Sequence, residues 1–206
     1  MNAINKANQM FFRRVVPLLL IALLQPASSH HVAASSKTAV KTAQKGFVTG
    51  LIDHNGAPAT LERFTNKPTL VHFGFTHCPD VCPTTLSEVS ALMSNLGPDA
   101  DRINFVFVTV DPARDTTDVL KNYLSHFDER IVGLTGSEKA IAVLAKSFNA
   151  AFAKRPQVSG YSIDHAIFAY LKDRQWRTVG TLYMGVGASR ELIEQKLGAL
   201  LSGRSN

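Results

Sequence analysis

The chain has 206 residues, of which 45% are hydrophobic and 18% charged, with a basic excess of +6. That length supports one domain with a real core and is short for two. The composition excludes a disordered, fibrous or polytopic protein. The first segment, "MNAINKANQMFFRRVVPLLLIALLQPASSHHVAA", has no acidic residue, carries Lys6, Arg13 and Arg14, and runs apolar from Val15 to Leu24. Such a run suits the core of a signal peptide, whereas a membrane span needs roughly 20 residues. Ala27-x-Ser29 and Val32-x-Ala34 both fit a cleavage pattern, with Ser29 at the more usual distance. The alternative is an uncleaved anchor. No cysteine lies nearby, which excludes a lipid-modified one.

Residues 1–29 are therefore expected to be a signal peptide or membrane anchor of an exported, periplasm-facing protein. Residues 30–45 form a polar tether, and 46–206 the folded domain. Loss of the leader halves the basic excess, so nucleic-acid binding loses its support. Export also places the two cysteines, Cys78 and Cys82, in an oxidising compartment.

The domain opens with "GFVTGLIDHNGAPATL", two short strands joined at Asn55-Gly56. "PTLVHFGF", 68–75, is a nearly continuous apolar run that predicts a central buried strand. "LSEVSALMSNLG" spaces Leu86, Val89, Leu92, Met93 and Leu96 as a helix ending at Gly97. "INFVFVTV", 103–110, predicts a second buried strand, and Asp115 is placed to cap the helix "TTDVLKNYLSHF". "RIVGLTG" is a short strand or turn. Ser137 opens the helix "SEKAIAVLAKSFNAAF". "HAIFAYLKD", 165–173, and "WRTVGTLYM", 176–184, form a strand pair around Arg174-Gln175, and "SRELIEQKLGALL" is a terminal helix. Strand–helix–strand–helix followed by a hairpin and a helix is the thioredoxin-like α/β order, with an added N-terminal β-hairpin and an inserted helix.

Cys78 falls just after the first buried strand, where α/β folds place their chemistry. Asp80 is the preferred cap of the next helix, which puts Cys82 and Pro83 in the first turn; a Thr85-x-x-Glu88 box is the alternative. Either start sets both sulfurs near the positive end of a helix dipole, which favours thiolate. Three readings of the pair stand side by side. A disulfide staple closes so small a loop that it contributes only about 2 kcal/mol. A redox pair has one residue more between its cysteines than the usual Cys-x-x-Cys. Two soft thiolates also select Cu(I) or Zn, and an added imidazole extends the site to Cu(II). A peroxiredoxin-like peroxidase is out of register, because Thr76 precedes Cys78 by two.

A third ligand would come from the seven histidines. His30 and His31 stand at the leader junction as a possible auxiliary Cu(II) site, and His54 is beside the first hairpin. His72 reads as a satisfied core residue. His77 adjoins Cys78 but points to the opposite face of an extended segment, and His126 is helix filler. His165 opens the strand "HAIFAYL" at the end that faces the cysteine loop.

"GFTHCPDVCPTTL", "FVTVDPARDT" and "YSIDHAIFAYL" resemble, in order and spacing, the signature segments of the Sco/SenC family, thioredoxin-like copper chaperones of cytochrome c oxidase assembly. The resemblance covers about residues 45–200. It implies that Cys78 and Cys82 are thiolate ligands and His165 an imidazole ligand of copper, as Cu(I) or Cu(II). It also implies delivery to the CuA centre of an oxidase subunit. Other copper chaperones or thioredoxin-like reductases are possible further partners. Asp80 and the Asp111–Thr116 loop match positions beside that site. No proline lies between Pro156 and His165, where related reductases carry a cis-proline. Two departures stand out: Ala166 follows His165 where the family often has serine, and Arg174, Trp176 and Arg177 make the last hairpin tip unusually basic and aromatic. Bacterial members differ among themselves, some delivering copper and others reducing disulfides. A thiol–disulfide oxidoreductase using Cys78 and Cys82 as its catalytic pair is therefore the alternative.

Overall fold

The structure, a computed structural model, describes residues 48–185 and 187–203. The leader, the tether, His30 and His31 lie outside the described residues. Among the described residues no helix is long and apolar enough to cross a membrane.

The strands are β1 (Leu51–Asp53), β2 (Pro58–Ala59), β3 (Thr69–Gly74), β4 (Asn104–Thr109), β5 (Ile131–Gly136), β6 (Phe152–Gln157), β7 (Gly160–His165), β8 (Phe168–Lys172) and β9 (Thr178–Tyr183). The helices are α1 (Val81–Leu96), α2 (Thr117–Leu124), α3 (Glu138–Ser147) and α4 (Arg190–Leu201). Seven strands form one sheet in the order β2-β1-β5-β4-β3-β8-β9, and β6 and β7 form a separate two-stranded sheet. The inner strands β3, β4 and β5 are parallel, and β8 joins β3 antiparallel. Every residue of β3 is buried, as expected of a strand covered on both faces. On one face Leu70, Phe105 and Phe107 pack with Leu86 and Met93 of α1, Leu120 of α2 and Leu197 of α4. On the other Val71, Phe73 and Val108 pack with Ile141 and Leu144 of α3 and Ile163 of β7. This is a thioredoxin-like α/β fold, and both the N-terminal hairpin and the helix additional to the minimal order are present.

Three local expectations are corrected. Asp115 does not cap α2: Thr116 does, accepting from Val119 N, because the Asp115 carboxylate is wholly buried and bonded elsewhere. Of the two alternatives for "RIVGLTG", the strand is the one formed, over Ile131–Gly136. The helix capped by Ser137 stops at Ser147, short of the expected Phe152, and the chain turns into the β6–β7 hairpin. His165 therefore closes β7, paired with Phe152, instead of opening β8. Finally, Trp176 is not displayed at its hairpin tip. It folds back at φ 64° to stack on Phe64 at 6.3 Å and meet Phe148 at 6.2 Å, while Arg177 pairs with Asp173.

Candidate metal centre

β3 delivers the chain to the site. After Gly74 the backbone turns, with Cys78 N donating to Phe75 O at 3.2 Å, and α1 begins at Val81. Asp80 holds the cap position but makes no side-chain capping bond. Instead its carbonyl accepts from Thr84 N at 3.3 Å and Thr84 Oγ1 at 2.9 Å. Pro83 sits in the first turn, where its missing N–H costs nothing. Cys82 is thereby turned inward and fully buried, while Cys78 is partly exposed.

Space for the buried sulfur comes from Gly74. A β-carbon there would stand 2.8 Å from Cys82 Sγ and 2.7 Å from Phe107 Cε2. Gly74→Ala is therefore expected to displace the sulfur and cost about 1–3 kcal/mol of stability. Urea unfolding, together with the reactivity of Cys82 toward a thiol reagent, checks it.

The loop is held from beneath by Asp115, which accepts Thr76 N at 3.0 Å, Thr76 Oγ1 at 2.6 Å and Thr109 Oγ1 at 2.6 Å. His77 sits outside this anchor, half exposed, with its Nδ1 3.1 Å from Thr76 Oγ1 and 3.8 Å from Asp115 Oδ1.

His165 approaches from the opposite side. Its Nδ1 faces Ala166 O at 3.1 Å. A carbonyl only accepts, so Nδ1 carries the proton and the lone pair is on Nε2, 3.5 Å from Cys82 Sγ. The ring is flanked edge-on by Phe75 at 5.7 Å and by His72 at 6.2 Å. His72 is not the satisfied core residue the sequence implied. Its Nδ1 is 3.3 Å from Phe168 O, but its buried Nε2 has no partner among the described residues.

The donor atoms of Cys78, Cys82 and His165 all lie within 4.8 Å of one another, the one such group of three among the described residues. Thiolate and imidazole ligands stand about 2.0–2.3 Å from a bound ion, which sets three of them roughly 4 Å apart around it. The group fits an ion with little movement, and its chemistry is soft. His54, His77 and His126 are not brought to it.

The two sulfurs are electrostatically unlike. The adjoining Cys82 thiol, as hydrogen-bond donor, pulls Cys78 down to about 3, outweighing burial and helped by the N–H groups of Asp80 and Cys82. The same interaction and deep burial push Cys82 up. Cys78 is thus the thiolate and Cys82 the protonated partner of the metal-free, reduced pair. One feature escaped the sequence: Tyr161 on β7, whose hydroxyl donates to the buried Asp111 of the loop after β4.

The fold and site together define a thioredoxin-like domain with a thiolate–thiol–imidazole group at the carboxyl end of its first central strand. A sequence profile described as SCO1/SenC matches residues 37–202, and the chain belongs to the SCO1/SenC family. It is 36% identical over 147 residues to an SCO2-like protein of Rickettsia prowazekii, covering 70% of this chain and 71% of that one. It is 40% identical over 137 residues to mitochondrial SCO2 of Saccharomyces cerevisiae, covering 64% of this chain and 45% of the yeast protein. The structure of Bradyrhizobium japonicum ScoI with copper bound superposes with a TM-score of 0.69 at 40% identity, over 75% of this chain and 98% of that one.

Proposed function

We propose that this protein is an exported copper chaperone of cytochrome c oxidase assembly. In this reading Cys78, Cys82 and His165 hold copper as cargo and pass it to the CuA centre of an oxidase subunit. The observation that carries the reading is the three-donor group within 4.8 Å, in a chain similar to a ScoI solved with copper bound. Two thiolates favour Cu(I), and the imidazole extends the site to Cu(II). Cys78 is partly exposed, so an incoming thiolate can reach the ion and exchange ligands without releasing it. Binding must displace the Cys82 proton, so affinity falls as pH falls. Residues 1–29 act as leader or anchor and 30–45 as the tether that lets the domain reach its partner on the periplasmic side.

The sulfur asymmetry supports a second reading, reduction of a partner disulfide. An exposed thiolate attacks and a buried thiol resolves, leaving a Cys78–Cys82 disulfide. One variant separates the two. His165→Ala is expected to weaken copper binding at least about 100-fold, since loss of a mere supporting group already costs 10–100-fold, while dithiol reduction of a partner persists. Copper titration of the reduced protein, followed by thiolate-to-copper absorption, reads the first effect. Undiminished copper affinity in the variant would sink the chaperone site as drawn.

A further inference from the structure

His165 is carried by a part of the molecule that has no ladder to the main sheet. Among the described residues β6 and β7 pair only with each other, and an isolated two-stranded hairpin is marginal in water. What fixes the imidazole against the cysteines is therefore the set of side chains that dock β7. Side chains alternate along a strand, so Tyr161, Ile163 and His165 share one face, with Ile163 in the core. Ser162 and Asp164 fall on the other face, where Asp164 meets exposed Arg155.

At the far end of that face Tyr161 enters a closed arrangement with the loop after β4. Its hydroxyl donates to Asp111 Oδ1 at 2.7 Å. Arg114 Nε donates to Asp111 Oδ2, and Nη1 to Tyr161 O at 3.2 Å. The guanidinium lies 4.0 Å over the Tyr161 ring and 5.9 Å from the ring of Phe75. Asp111 is fully buried, and both carboxylate oxygens are used. Four residues further along the same loop, buried Asp115 grips Thr76 of the cysteine loop. One short segment, residues 111–115, thus holds both ligand-bearing pieces, the cysteines through Asp115 and the histidine strand through Asp111 and Arg114.

We propose that Asp111, Arg114 and Tyr161 are positioning residues that set the reach of His165 toward the two sulfurs, and that loosening this latch withdraws the imidazole when copper leaves. The proposal rests on the reading of His165 as a copper ligand. Transfer then has an order. The hairpin carries Nε2 away while both thiolates, fixed on the main body, keep the ion until incoming thiolates replace them. No electrons move, and the vacated coordination is taken by the acceptor's sulfur.

The test uses the full chain, reduced, with Cu(I) and bicinchoninate as competing chelator. Tyr161→Phe removes only a hydroxyl and keeps the ring beneath Arg114. It is expected to weaken Cu(I) binding about tenfold, the lower end of what a supporting group costs, and to speed loss to the chelator. In a His165→Ala background the same change is expected to add nothing. A merely structural role would lower affinity by the same factor in both backgrounds, and that result overturns the proposal, as does native affinity in Tyr161→Phe. A readout without copper runs in parallel: amide exchange across 152–165 in the metal-free protein is expected to quicken about tenfold in Tyr161→Phe, and unchanged exchange overturns the latch. If His165→Ala alone binds copper like the native chain, the liganding of His165 fails first. Exchange in the hairpin then reports only on docking.

Discussion

Asp115→Ala is expected to cost about 3–4 kcal/mol of stability and to unmoor the cysteine loop. The carboxylate is wholly buried and accepts three hydrogen bonds, two of them at 2.6 Å from hydroxyls and one at 3.0 Å from the Thr76 amide. Bonds to a charged group are worth about 1.5–3 kcal/mol each, and donors left buried and unpaired add their own desolvation. Relaxation of the exposed Thr76–His77 side recovers part of that sum. Against a total stability of about 5–15 kcal/mol, the loss is large. In urea the midpoint should fall by more than about 1 M with an unchanged slope. Cys78 should react faster with a thiol reagent, because the turn that positions it loses its floor. Asp115→Asn keeps one acceptor oxygen but turns an amide toward a donor, so it should lie between native and alanine. A loss below about 1 kcal/mol in the alanine variant would mean that the loop is held by its own turn and by α1.

The same residue shows why the site was only partly legible in the sequence. Asp115 and Thr116 are both good caps by type, and nothing local separates them. The choice is made by Thr76, thirty-nine positions away, and contacts of that range leave no periodic trace. The central strands were legible for the opposite reason. β3 and β4 are buried nearly throughout, so they read as unbroken apolar runs, and the cysteines were found because they follow such a run. β6 and β7 were missed because β6 is largely exposed and β7 buries only Ile163 outright, which leaves no apolar run, and Pro156 argues against a strand. The cost was a misplaced His165, assigned to the wrong strand although at the right end of the sheet. Trp176 was misread on similar grounds: a basic, aromatic turn looks like a surface, but a left-handed backbone at that residue folds the indole, half-buried, against the core.

The second large effect is an acid sensitivity seated at His72. Burial, with the neighbouring His165 adding to it, lowers this imidazole from 6.5 to about 4. Phe168 O and Cys78 act the other way, and the unpartnered Nε2 gives an added proton nothing to bond. The folded state therefore binds fewer protons than the unfolded chain between those two values. Stability supplied by the neutral ring is complete above pH 6.5, drains as pH falls, and is gone below about 4. A displacement of that size corresponds to about 3 kcal/mol. Asp53 and Asp128 have carboxyls held below their ordinary value of 3.8, so their contributions are lost only at lower pH. The Cys78 thiolate, held down to about 3, loses stability across the same interval, but native protein and variant share that loss, so their difference reports the imidazole. Urea unfolding of the metal-free, reduced protein at pH 7 and pH 4.5, native against His72→Phe, isolates the effect. Phenylalanine fills nearly the same space beside Phe107, 6.1 Å away, and cannot titrate. The native protein should lose about 2–3 kcal/mol more than the variant over that interval. Equal losses would mean that the imidazole is already solvated in the folded state, with a path for water to the strand beneath the cysteines. Unequal losses would establish that the ring packed against His165 is dry and neutral when the site is empty, so that the imidazole facing the sulfurs has a rigid, uncharged wall behind it.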